Sequence, residues 1–183
     1  AWSCLFSCFF TGRKFVTTFH GTYNFTNNIK KFYNSVMVRS DLVIAGSNFI
    51  FDHIQKNYSK YLKREKRILV IFRGINTDYF SNSTITNEKI NKLNIDLNLN
   101  SETFKILLPG RLTRWKGQEM FLESINLLRE QYGKNNFQCI ILGSHQGRKV
   151  YFKKLVSIVE KYQLKKNVIF LNNFKEMPII YYI

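Results

Sequence analysis

The residues best suited to chemistry lie in one run, Lys105-Ile106-Leu107-Leu108-Pro109-Gly110-Arg111-Leu112-Thr113-Arg114-Trp115-Lys116-Gly117-Gln118-Glu119. Ile106 to Leu108 reads as a buried strand, and Pro109-Gly110 ends it. Arg111 then falls at the strand's carboxyl end, where open α/β sheets bind ligands. Lys116-Gly117 opens a helical pattern, and a helix start offers free backbone N–H groups and a positive dipole end. A guanidinium and an ammonium five residues apart suit a diphosphate. Arg grips two oxygens at once, while Lys supplies a compact point charge. The same residues on a solvated loop would have no such role. Placement at a strand end between glycines favours phosphate binding.

The elements that must hold these residues follow from hydrophobic patterning. Apolar runs recur at Phe15–Phe19, Leu42–Ala45, Ile68–Phe72, Ile106–Leu108, Cys139–Leu142 and Val168–Leu171. They are nearly continuous, as in strands covered by helices on both faces. Between them apolar residues take helical spacing: Ile29, Phe32, Tyr33, Val36 and Met37; Phe121, Leu122, Ile125 and Leu128; Phe152, Leu155, Val156 and Val159. Ser47 and Ser144 follow strands and are expected to cap the next helices. Alternating strands and helices predict a doubly wound α/β fold. The pattern lapses near Asp78 to Glu102, with three strands on either side. The expected division is therefore residues 1–80, a connection at 81–102, and residues 103–183. Each part holds about half the strands of a complete Rossmann domain.

Composition bounds the alternatives. The chain has 183 residues, 45% of them apolar, with 9 Gly and 2 Pro, so it is neither disordered nor collagen-like. Three cysteines do not make a disulfide scaffold, and reduced thiols in a cytoplasmic protein are expected. Cys4 and Cys8 have no partnering pair nearby, which argues against zinc. The net charge of +16 attracts anions in general. A basic nucleic-acid-binding α/β module without catalysis is the competing function, but no RNP-type aromatic strand or zinc spacing accompanies the charge. A Rossmann dehydrogenase is disfavoured because no Gly-x-Gly-x-x-Gly follows a strand. Among the remaining candidates, His53 lies on an amphipathic stretch and reads as structural. His145 and Arg148 sit in the turn after a strand, within range of a ligand there. Ser47 lacks acid–base partners and reads as a cap, not a nucleophile.

Gly110-Arg111-Leu112-x-x-x-Lys116-Gly117 resembles the donor-site motif of the group 1 (GT4) retaining glycosyltransferases, which have the GT-B architecture of two facing Rossmann-like domains. Further segments match in order: Thr18-Phe19-His20-Gly21, Asp41 to Ser47, Val70-Ile71-Phe72-Arg73-Gly74-Ile75-Asn76, Ile141-Leu142-Gly143-Ser144, and Val168 to Tyr181. Arg73 stands where that family commonly has Asn.

The resemblance implies a hexosyltransferase of cell-envelope polysaccharide or lipopolysaccharide synthesis. It would take a UDP- or GDP-linked sugar as co-substrate and a glycan or lipid-linked saccharide as acceptor. No nucleic-acid partner, resident cofactor or metal is implied. Arg111 and Lys116 would bind the diphosphate and stabilise the leaving group, and His20 would reach toward the sugar or acceptor. Gly21, Gly110, Gly143 and Ser144 would complete the donor site. Lys30, Lys31, Arg39, Lys60, Lys63 and Arg64 would form a peripheral contact with an anionic inner leaflet. The family's Glu-x7-Glu pair has no counterpart after Lys116. The chain alone is thus expected to be an internal fragment of two incomplete domains, inactive in transfer while still binding nucleotide.

Overall fold

A computed structural model describes residues 1–23, 25–62, 67–132 and 137–183. The leaflet-facing Lys63 and Arg64 expected from sequence lie outside these. Contacts divide the chain into two units, residues 1–75 and 76–183. The division falls inside the stretch expected to close the first domain.

The first unit contains α1 (Trp2–Thr11), β1 (Val16–Phe19), α2 (Asn28–Asn34), β2 (Leu42–Ala45), α3 (Asn48–Tyr58) and β3 (Arg67–Val70). Its strands form a parallel sheet in the order β1-β2-β3, with Val16 opposite Leu42 and Val43 opposite Ile68. Phe19, Val43 and Ala45 are buried with Ile50, Ile54 and Tyr58 of α3. The Ser47 hydroxyl accepts from the Ile50 N–H at 3.2 Å and caps α3 as expected.

The stretch from Ile29 to Met37 departs from its pattern. The α-helix ends at Asn34, and Ser35–Val38 continues as a tighter 3₁₀ turn. Val36 is buried, whereas Ile29 is 79% exposed. Trp2 of α1 stacks on Phe32, and the Arg39 guanidinium lies over Trp2, Phe32 and Tyr61 at 5.1–5.5 Å. Lys31 and Lys60 likewise lie over the rings of Phe25 and Tyr61. Three of the basic side chains expected to face a leaflet therefore rest against aromatic rings.

The second unit contains α4 (Asn87–Asp96), β4 (Phe104–Pro109), α5 (Gln118–Tyr132), β5 (Phe137–Leu142), α6 (Lys149–Lys161), β6 (Val168–Leu171) and α7 (Met177–Tyr182). Its sheet is also parallel, in the order β4-β5-β6, with Leu108 opposite Ile141 and Cys139 opposite Val168.

Alternate residues of β5 point to two cores. Cys139 and Ile141 pack with Leu122 and Ile125 of α5 and with Leu155 and Val159 of α6. Ile140 and Leu142 pack with Leu93, Leu99, Ile179 and Ile180. Burial on both faces is the reason β5 reads as an unbroken apolar run. The expected connection at 81–102 carries a helix of its own, α4, whose Leu93 is buried in that second core.

The Cys139 thiol is pushed up to about 12 by burial, while Cys4 is exposed and Cys8 half-buried. Alkylation near pH 8 should therefore modify two thiols in the native protein and all three in denaturant, counted by mass spectrometry.

Candidate functional site

The carboxyl rim of the second sheet is built on a close backbone approach. Past the strands, the Gly110 N–H donates to the Leu142 carbonyl at 2.7 Å, and the Gly143 N–H to the Leu171 carbonyl at 2.8 Å. A Cβ on Gly143 would overlap the carbonyl of Gly110 and lie 3.1 Å from the Arg111 nitrogen. Gly143 also has φ +156°, a conformation side chains rarely adopt. Glycine is thus required where the turns after β4 and β5 touch. The Leu112 N–H then bonds the Ser144 carbonyl at 3.1 Å.

This tether sorts the loop after β4. Leu112 and Thr113 are buried, so Arg111, Arg114, Trp115 and Lys116 face solvent. A one-turn 3₁₀ helix, Arg114–Lys116, closes on Gly117, whose φ of +76° redirects the chain into α5. The Arg111 and Lys116 side chains both approach the Trp115 ring. The Lys116 ammonium lies 4.5 Å from the Trp115 ring centre and the Arg111 guanidinium 5.9 Å from it. Among the described residues the ion pairs are Lys89–Glu176, Lys154–Glu119 and Lys165–Glu160. Arg111 and Lys116 thus have no carboxylate partner there. The Trp115 ring is itself exposed.

Gln118, a residue the motif does not single out, underpins this loop. It is fully buried. Its amide donates to the Arg111 carbonyl at 3.0 Å, and its carbonyl oxygen accepts from the Tyr151 hydroxyl at 3.3 Å. Burial, with the Glu119 carboxylate adding to it, pushes the Tyr151 phenol above its ordinary value and keeps it a donor. The sequence carries a signal for Gln118: it shares the helical face of Leu122 and Ile125, where a polar residue needs buried partners.

Two hollows flank the loop. One, of about 250 Å³, gathers the ends of all three strands and is lined by Leu112, Gly143, His145, Phe152, Phe170 and Asn172. The His145 and Phe152 rings stack with centres 5.9 Å apart, giving it a flat aromatic wall. The other, of about 530 Å³, lies between Thr113–Trp115 and the start of α6 and includes Arg148 and Lys154. Ser144 differs from its expected role as a helix cap. Its hydroxyl accepts from the Gln146 N–H at 3.2 Å and holds the turn, while α6 starts at Lys149 with no side-chain cap.

In the first unit His20 and Gly21 follow β1. His20 is exposed, and its Nδ1 is 2.7 Å from Nη2 of Arg73. The space around Gly21 is open, so no close approach demands glycine there. His53 is bonded to Asn57, four residues on within α3, consistent with a structural histidine. Among the described residues no three His, Cys, Asp or Glu side chains cluster to hold a metal ion, and no helix is long and apolar enough to cross a membrane.

The family model for glycosyl transferases group 1 matches residues 89–183, and that for glycosyltransferase family 4 matches residues 1–79. No curated protein matches in a sequence search. Among solved structures, a glycosyltransferase from Rickettsia africae ESF-5 is 32% identical with a TM-score of 0.81, over 98% of this chain and 46% of that one. Anabaena Alr3699/HepE, solved with UDP and glucose, is 20% identical with a TM-score of 0.76, over 96% of this chain and 46% of that one. WaaG, a lipopolysaccharide-biosynthesis glycosyltransferase, is 18% identical with a TM-score of 0.59, over 75% of this chain and 35% of that one. The chain thus spans less than half the length of these structures.

Replacing Gly143 by Ala should lower stability by about 3 kcal/mol or more, because the obstruction is backbone that cannot rotate away. Urea denaturation of the variant checks this; an unchanged midpoint would mean the two turns separate without cost.

Proposed function

The chain belongs to the group 1 glycosyl transferases, and on that premise we propose that its second unit binds the diphosphate of a nucleotide sugar. The observation that carries this reading is the pair of exposed cations, Arg111 and Lys116, held against Trp115 just before α5. Two phosphates supply the charge the pair lacks. The start of α5 adds backbone donors and a positive dipole end. The neighbouring hollow, with its His145–Phe152 wall, suits the flat base of UDP or GDP.

In the transfer, the bond between the sugar's anomeric carbon and the phosphate oxygen breaks, and the nucleotide diphosphate leaves with the electron pair. The acceptor hydroxyl oxygen bonds to the anomeric carbon, and its proton neutralises one charge on the departing group. Negative charge grows on the leaving oxygen as this happens. Cations already in place stabilise that charge without reorganising, and such preorganised charge is commonly a large part of an enzyme's rate enhancement. Arg111 and Lys116 take that part in the proposed reaction, so no resident cofactor or metal is invoked. We assign the donor a hexose and the reaction retention at the anomeric carbon. The acceptor is a glycan or lipid-linked saccharide of the cell envelope, met by a cytoplasmic enzyme in peripheral contact with the membrane. We also assign His20 a part in handling the sugar or acceptor.

Titration calorimetry with UDP- and GDP-sugars tests the assignment. Arg111→Ala and Lys116→Ala should each weaken donor binding by about tenfold or more. In the full-length protein Lys116→Ala should lower turnover by about 100-fold. A Lys116→Ala protein with near-normal turnover would remove that residue from the mechanism.

A further inference from the structure

His20 and Arg73 are 53 residues apart in sequence, yet their side chains meet at 2.7 Å. The sheet order explains the meeting. His20 directly follows β1 and Arg73 lies three residues past β3, so both stand at the carboxyl rim of one parallel sheet with β2 between them. The Ile71 N–H still bonds the Ala45 carbonyl at 3.0 Å, which carries the ladder beyond β3 and brings Arg73 to the rim. The residue leaving β2 between them is Gly46, which carries no side chain to stand in the way.

The contact has one chemical sense. A guanidinium has donors and no acceptor, so Nδ1 of His20 must accept. A ring nitrogen that accepts carries no proton, and the neutral ring then bears its hydrogen on Nε2. We infer that Arg73 is a positioning residue: it fixes His20 as the Nε2–H tautomer, with that N–H free to donate to an oxygen of the ligand at this rim. The bond also restrains rotation of an otherwise exposed ring. The consequence for sugar transfer rests on the function proposed above; the state of the ring does not.

Two-bond ¹H–¹⁵N spectra of the histidine rings test this directly, with His20 identified by its loss in His20→Gln. In the wild-type protein Nδ1 should carry the unprotonated signature and Nε2 the protonated one, both at limiting values. In Arg73→Met the two shifts should move toward each other as tautomers average. Arg73→Lys keeps a donor and should restore the limiting values. A protonated Nδ1 in the wild type, or identical ring shifts in wild type and Arg73→Met, would overturn the assignment. If Arg73→Met does not fold, Arg73→Ala, which also removes the donor, replaces it with the same expected averaging. In the full-length protein, Arg73→Met should lower kcat roughly tenfold with little change in donor KM, and Arg73→Lys should recover it. A rise in KM at constant kcat would count against positioning. Absence of transfer by the wild type would retire the sugar-transfer reading while leaving the ring measurement decisive.

Discussion

The second unit depends on two turns brought into contact through backbone alone. Gly143 has no side chain because the Gly110 carbonyl occupies that place. The approach lets the ladder run one bond past β4 and β5 and then join Leu112 to Ser144. Everything exposed in the loop after β4 follows from that tether. With Leu112 and Thr113 turned inward, the next side chains must point out, and a left-handed Gly117 starts α5 immediately afterwards. The loop is thereby held by peptide hydrogen bonds rather than by its charged side chains.

Gln118 completes the support from below. A buried amide needs both its donor and its acceptor satisfied, and here the Arg111 carbonyl and the Tyr151 hydroxyl do so. The result joins the loop after β4, the start of α5 and the start of α6 through one side chain. On the solvent side the Trp115 ring lies within 4.5 Å of the Lys116 ammonium and 5.9 Å of the Arg111 guanidinium, and cations over an aromatic face are attracted to it. The first unit repeats the arrangement of a parallel sheet with polar side chains at its carboxyl rim, but joins its strand ends through the His20–Arg73 contact.

Much of this was legible in the residues. Continuous apolar runs located the six strands among the described residues; in β5 the reason is burial on both faces, whereas in β1 and β2 only alternate residues are fully buried. The i, i+3, i+4 spacing located α5 and α6 down to Leu122, Ile125, Leu155 and Val159, and Ser47 marked the start of α3. Legibility failed where tertiary contacts outweighed local pattern. Ile29 fits an apolar stripe yet is exposed, while Val38 and Met37, past the end of α2, pack on the core. Residues 81–102 read as a polar connection, yet they carry α4, whose Leu93 is buried in a core. Ser144 looked like a cap and instead holds a turn, since α6 begins several residues later.

The sequence alone determined the α/β class, the parallel strands alternating with helices, and the Gly-Arg-x4-Lys-Gly stretch on which the family resemblance was read. These are properties of residue type and spacing, which survive in any description of the chain as a line. Only the tertiary structure decided that Gly143 must yield its place to Gly110, that Gln118 holds the Arg111 carbonyl, and that Arg73 reaches His20 past the end of an intervening strand. Each of these joins residues distant in sequence, and parallel sheets create such meetings by returning every strand to the same rim. Which ring nitrogen or carbonyl is met there depends on three-dimensional register, which no local pattern contains.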